Sequence, residues 1–151
     1  MRLWLSGMAR SPRPFYLIGQ LNAAVRLRLE RALRYYDLTV AQYTAMSRIK
    51  GREVLSSAKL ARAHHVSPQT MNELIGNLEA RGLVSRREDP DNRRVLLVSL
   101  TEAGRDLLAQ CDRAVDALEA EFFASLDGGD LSTLRRILDR LLTETRKAEL
   151  N

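Results

Sequence analysis

Ser67, Pro68, Gln69, Thr70, Asn72, Glu73 and Asn77 form one short run of hydroxyl and amide side chains, interrupted by the apolar Met71, Leu74, Ile75 and Leu78. The amides of Gln69, Asn72 and Asn77 carry the donor and acceptor pair that matches adenine in a major groove. Thr70 can touch a thymine methyl group or a phosphate, and Glu73 can accept from the amino group of cytosine. A second group, Arg86, Arg87, Arg93 and Arg94, brackets the polar run Glu88-Asp89-Pro90-Asp91-Asn92. Guanidinium groups at a tight tip suit a narrow minor groove, where negative potential is concentrated. Arg62 and Lys59 precede the first group and would meet phosphates. All of these are recognition chemistries in which no covalent bond changes.

Bond-making chemistry finds no comparable support. The sequence has no glycine-rich phosphate loop, no nucleophile elbow and no cluster with metal-ligand spacing, so neither an enzyme nor a cofactor is expected. His64 and His65 are the only histidines. Adjacent helical residues point about 100° apart, and zinc would need further ligands that this stretch does not offer. The single cysteine, Cys111, excludes an intramolecular disulfide and suits a reducing compartment. It falls on an apolar stripe beside Asp112, where a thiol packs as a small hydrophobe and its pKa is raised. A redox role there is the weakest of the readings.

The recognition groups need elements to hold them. Val66-Ser67-Pro68 reads as a turn into a helix, Ser67 capping and Pro68 at the first helical position. That helix, over 68–80, buries Met71, Leu74, Ile75 and Leu78 and ends at Gly82, which suits a left-handed stop. A short helix, Ala58 to His64, capped by Ser57, precedes it, and the pair is a helix-turn-helix. Leu83 to Arg87 and Val95 to Leu100 have strand character, giving a hairpin wing over 84–100. Glu53-Val54-Leu55 reads as a very short strand.

Longer helices flank this lobe. From Phe15 to Tyr36, Ile18, Leu21, Val25, Leu29, Ala32 and Tyr36 repeat at helical spacing after Pro12 and Pro14. Thr39 with Gln42 three residues later predicts a capping box for a helix running to about Lys50 and stopped by Gly51. Thr101 caps a long helix with Leu107, Leu108, Cys111, Val115, Leu118 and Phe122 on one face. Asp127-Gly128-Gly129-Asp130 breaks it, and a last helix carries Leu131, Leu134, Ile137, Leu138, Leu141 and Leu142. The fold class is mainly α with a small β-hairpin wing. The winged helix-turn-helix lobe spans 37–100, and the apolar stripes of 12–36 and 101–148 exceed what so small a lobe can cover.

The 151 residues are enough for one domain with a real core, and 45% apolar residues exclude a disordered chain. No run approaches the length of a membrane span, and the patch Leu3-Trp4-Leu5 is too short for a signal-peptide core, so a cytoplasmic protein without membrane contact is expected. The net charge of +5 is compatible with nucleic acid but unevenly placed: +7 over residues 1–50, +2 over 51–100 and −4 over 101–151.

In this order of elements the sequence resembles the MarR family of winged-helix transcriptional regulators. The stretches that carry the resemblance are Leu38-Thr39-Val40-Ala41-Gln42-Tyr43, Leu60-Ala61, Val66-Ser67-Pro68-Gln69-Thr70, Leu78-Glu79-Ala80-Arg81-Gly82-Leu83-Val84, Asp91-Asn92-Arg93-Arg94 and Leu100-Thr101-Glu102-Ala103-Gly104. It spans about residues 15–145. The resemblance implies a homodimer with intertwined terminal helices and two lobes reading consecutive major grooves of double-stranded DNA. The operator would be pseudo-palindromic, with half-sites about 34–36 Å apart. It further implies that Asp91 orients Arg93 in the wing, and that a small aromatic or phenolic effector binds near Trp4, Tyr16, Tyr35, Tyr36 and Tyr43. Relatives often carry a basic residue where this chain has Glu73 or Asn77. Peroxide-sensing relatives use a cysteine in the N-terminal helix, which here has none. The leading expectation is an effector-responsive repressor; the alternative is a winged-helix protein-interaction module without DNA binding.

Overall fold

A computed structural model of the chain describes residues 11–52 and 54–148. Leu3, Trp4, Leu5 and Glu53 lie outside the described residues. The elements are α1 (Pro14–Arg34), α2 (Val40–Lys50), β1 (Leu55–Ser56), α3 (Ser57–Ala63), α4 (Pro68–Ala80), β2 (Val84–Glu88), β3 (Leu96–Leu100), α5 (Glu102–Phe122) and α6 (Gly128–Ala148).

Local chemistry accounts for most of the boundaries. Pro14 opens α1, and the chain turns back at Asp37, whose φ of 53° is left-handed. α1 therefore stops at Arg34, two residues before the predicted Tyr36. The capping box of α2 forms as expected: Thr39 Oγ1 accepts from the Gln42 N–H at 3.1 Å and the Gln42 amide oxygen accepts from the Thr39 N–H at 3.0 Å. Ser67 Oγ accepts from the Thr70 N–H at 3.1 Å at the start of α4, and Gly82 ends that helix with φ 69°.

Other boundaries also differ from the sequence reading. The cap of α3 is Ser56, whose Oγ accepts from the Lys59 N–H at 3.2 Å. The short strand falls at Leu55–Ser56 rather than 53–55, because Leu55 pairs with Val98 and Ser56 with Leu97. That pairing leaves Ser56, in extended conformation, where a cap must be. After α5, Gly128 and Gly129 belong to the first turn of α6, capped by Asp127 through a 2.8 Å bond from the Asp130 N–H.

The sheet is antiparallel, in the order β1-β3-β2, with Val84 opposite Leu100 and Glu88 opposite Leu96. The expected hairpin thus gains a third, very short strand. Leu33 of α1, Met46 and Ile49 of α2, Leu60 of α3, and Met71, Ile75 and Leu78 of α4 are fully buried. So are Val98 of β3 and Leu108 and Cys111 of α5. The described chain divides after Asp112 into two compact units. The first holds α1 to β3 and the opening half of α5; the second holds the rest of α5 and α6. None of the described helices is long and apolar enough to cross a membrane.

Candidate nucleic-acid interface

α4 presents Gln69, Thr70, Asn72 and Glu73 to solvent while Met71, Ile75 and Leu78 are buried behind them. Several of these polar groups also hold one another. Ser67 Oγ lies 2.9 Å from Thr70 Oγ1 as well as capping the helix, and the Gln69 amide donates to Glu73 at 3.5 Å. Ser57, released from the capping role predicted for it, donates to Asn72 Oδ1 at 2.9 Å and ties α3 to this face. Ser67 and Pro68 are exposed at the start of the helix, where free N–H groups favour an anion. Asn77 is exposed further along α4 and borders a cleft of about 780 Å³ with Arg26, Arg34, Thr39 and Arg81.

The wing divides its arginines. Arg87, Arg93 and Arg94 are exposed, and Arg62 stands exposed on α3. Arg86 is turned toward α4 instead: its Nε donates to Glu79 Oε2 at 2.8 Å and its Nη2 to the same oxygen at 2.5 Å. This pairing holds the Glu79 carboxyl below the usual carboxylate range. The tip is shaped by Asp89, which accepts from the Asp91 N–H at 3.0 Å, and by Asn92, which accepts from the Arg94 N–H at 3.2 Å. No ion pair joins Asp91 to Arg93 among the described residues.

Other side chains position the lobe without facing solvent chemistry. Arg81, just past α4, donates to the carbonyl of Asp37 at 2.6 Å and so straps the recognition helix to the turn between α1 and α2. Tyr43 donates to Asp112 Oδ1 at 3.0 Å, and the Lys50 ammonium donates to Oδ2 at 2.8 Å. Burial and the Asp112 carboxylate push the Tyr43 hydroxyl up to about 12. Cys111 is buried, and burial followed by the Asp112 charge raises its thiol pKa. His64 Nε2 is buried with no hydrogen-bond partner among the described residues; burial and then Arg48 lower its pKa. The described residues hold no metal-binding cluster.

The described tyrosines stand in different surroundings. Tyr16 is exposed on α1, Tyr35 and Tyr36 meet edge to face with centroids 5.2 Å apart, and Tyr43 is committed to Asp112. Neither the 780 Å³ cleft nor two smaller ones of about 450 and 360 Å³ is lined by a tyrosine. Trp4 lies outside the described residues. Sequence reasoning missed Glu79, Arg81 and Ser57, whose partners lie on other elements and leave no local pattern.

Residues 38–96 match the model of the MarR family, a span that runs from Leu38 before α2 to the first residue of β3. Over 126 residues the chain is 32% identical to an HTH-type transcriptional repressor of Mycobacterium bovis, covering 83% of this chain and 91% of that protein. The chain belongs to the MarR family. Transcriptional regulation is the family's activity, and this MarR-family protein is a transcriptional regulator. It is also 28% identical over 135 residues to the transcriptional regulator HosA of Escherichia coli, covering 89% of this chain and 98% of HosA. Among solved structures, a MarR-family regulator from Rhodococcus superposes with a TM-score of 0.82 at 26% identity, covering 89% of this chain and 96% of that one. A mutant of the Escherichia coli MarR protein complexed with operator DNA superposes with a TM-score of 0.76 at 26% identity, covering 85% of this chain and 92% of that one.

Proposed function

We propose that this MarR-family regulator is a homodimeric, cytoplasmic repressor, non-catalytic and without a cofactor, that binds a pseudo-palindromic operator in double-stranded DNA. The observation that carries this reading is the exposed polar face of α4 beside the exposed arginines of the wing, on a fold shared with a relative crystallised on operator DNA. Gln69, Thr70, Asn72 and Glu73 read base edges in the major groove, with Asn77 at the far end of the same helix. Ser67 and Pro68 bring the start of α4 to a phosphate, and Arg62 meets the backbone from α3. Arg93, flanked by Asp91, enters the minor groove, with Arg87 and Arg94 on the adjoining phosphates. Arg86 serves as a brace between wing and recognition helix. A small aromatic or phenolic effector shifts the population between spacings of the two recognition helices that fit DNA and spacings that do not.

DNA binding in rising salt tests this directly. With about six phosphate contacts, affinity for DNA flanking the gene should fall roughly a thousandfold between 50 and 200 mM salt. Arg93→Ala should weaken binding about tenfold or more and leave the dimer intact. A salt-independent affinity would overturn the reading, and unchanged binding by the variant would remove the wing from it.

A further inference from the structure

A cleft of about 360 Å³ opens between the end of α2, the turn after it, and α3, lined by Arg48, Gly51, Arg52, Leu55, Lys59 and Ala63. Three of its side chains are cations, and none of its described lining residues is an acid. Several cations elsewhere in the protein are matched: Arg26 by Glu30 at 2.9 Å, Lys50 by Asp112 at 2.8 Å, Arg86 by Glu79. Among the described residues Arg48, Arg52 and Lys59 make no ion pair and no side-chain hydrogen bond.

Folding alone gives no reason to gather these charges. The dipole of α2 favours a cation in its last turn, which accounts for Arg48. Arg52 lies beyond that helix, and Lys59 sits in the first turn of α3, where a carboxylate would be the favoured charge. Like charges lining one cleft repel each other unless an anion lies between them. The charge is felt nearby, since Arg48 contributes to lowering the pKa of His64.

The position of the cleft indicates what the anion is. In a helix-turn-helix the first helix crosses the backbone at the edge of the groove that the second helix enters. Here the Ser57 to Asn72 bond fixes the start of α3 against the exposed face of α4, and Lys59 lies two residues further along α3. We propose that Arg48, Arg52 and Lys59 form a phosphate site that takes the DNA backbone flanking the bases read by α4. The proposal rests on the DNA-binding reading above. A free phosphate or pyrophosphate is the competing source of the same chemistry, and a cleft near the small end of ligand sites has room for it.

The test compares the full-length wild type with Arg48→Gln/Arg52→Gln, using Arg93→Ala as a reference. Circular dichroism confirms folding, and an Arg52→Lys variant keeps the charge. If the backbone is the ligand, the double variant should flatten the slope of log affinity against log salt by about 2. It should weaken operator and unrelated DNA equally, while Arg52→Lys stays close to wild type. Inorganic pyrophosphate should then leave the melting temperature of free protein unchanged. A wild-type slope in the double variant, with pyrophosphate stabilising only the wild type, would assign the site to a free phosphorylated ligand and overturn the backbone assignment. A wild-type slope with no effect of pyrophosphate overturns the site altogether. If the wild type binds no DNA but pyrophosphate stabilises it and not the double variant, the DNA-binding reading fails while the phosphate site stands.

Discussion

The two N–H groups that Arg86 directs onto one oxygen of Glu79 show why residue type alone misleads at a wing. From sequence, Arg86 and Arg87 are equivalent arginines at the base of a hairpin. The strand alternation turns one toward α4 and the other to solvent, and only the register of Arg86 opposite Val98 settles which. Glu79→Gln should therefore weaken operator binding severalfold through a loosened wing, with a stability loss of about 0.5–1 kcal/mol because the pair is partly exposed. The pH dependence has a definite sign. The folded Glu79 carboxyl titrates below its ordinary value of 4.5, so its contribution is complete above that pH and is lost as pH falls through the lowered value. Acid unfolding of Arg86→Met should begin at higher pH than that of wild type, as followed by circular dichroism; coincident curves would show the pair contributes nothing. Cys111 lies as its place on the apolar stripe suggests: it is buried, and burial followed by the Asp112 charge raises its thiol pKa. A thiol reagent should label native protein at least tenfold more slowly than denatured protein, and equal rates would reopen the redox reading.

At the scale of elements, the joint between α4, the wing and α5 is closely packed. Thr101 Oγ1 donates to the Gly82 carbonyl at 2.6 Å and accepts from the Gly104 N–H at 3.0 Å, capping α5 against the end of α4. A methyl group on Gly104 would stand well inside contact distance of the Leu83 carbonyl oxygen, a backbone atom that cannot move aside cheaply. Gly104→Ala should cost about 1–3 kcal/mol as overpacking, read as a lower urea midpoint at unchanged m-value. An unshifted midpoint would mean that α5 can slide away from Leu83. The motif Leu100-Thr101-Glu102-Ala103-Gly104 was visible in the sequence, and its threonine announced a cap. The need for glycine was not visible, because the approaching carbonyl comes from Leu83, across the hairpin. The same limit explains the cap of α3: Ser56 and Ser57 are equally able to cap, and the choice is made by pairing with β3. Within-helix signals, the Thr39 box and the left-handed Gly82, were legible because both partners lie within a few residues.

For the whole molecule, the feature left over by the described chain is apolar surface. Phe15, Ile18 and Leu21 on α1 are 89%, 49% and 45% exposed, and Ile137, Leu138, Leu141 and Leu142 on α6 are 42% to 54% exposed. These are the stripes whose length in the sequence exceeded the need of one lobe. Monomers seldom present such surface to water, and a two-fold partner covers both copies at once. The net charge supports the same division, with the acidic excess lying in the sequence at 101–151, outside the segments proposed to meet DNA. Leu138→Asp/Leu142→Asp should convert the dimer to monomer in sedimentation, lower the melting temperature and abolish its dependence on protein concentration. The effect on DNA should be larger than any lost contact with it. Two linked lobes gain about 10²–10⁴ in affinity over one by making the second binding event intramolecular. The variant should lose about that much on a palindrome while binding an isolated half-site as the wild-type lobe does. Arg93→Ala should do the reverse, remaining dimeric and losing affinity on half-site and palindrome alike. A monomeric variant with full affinity for the palindrome would show that a single lobe suffices and that the exposed stripes serve some other contact.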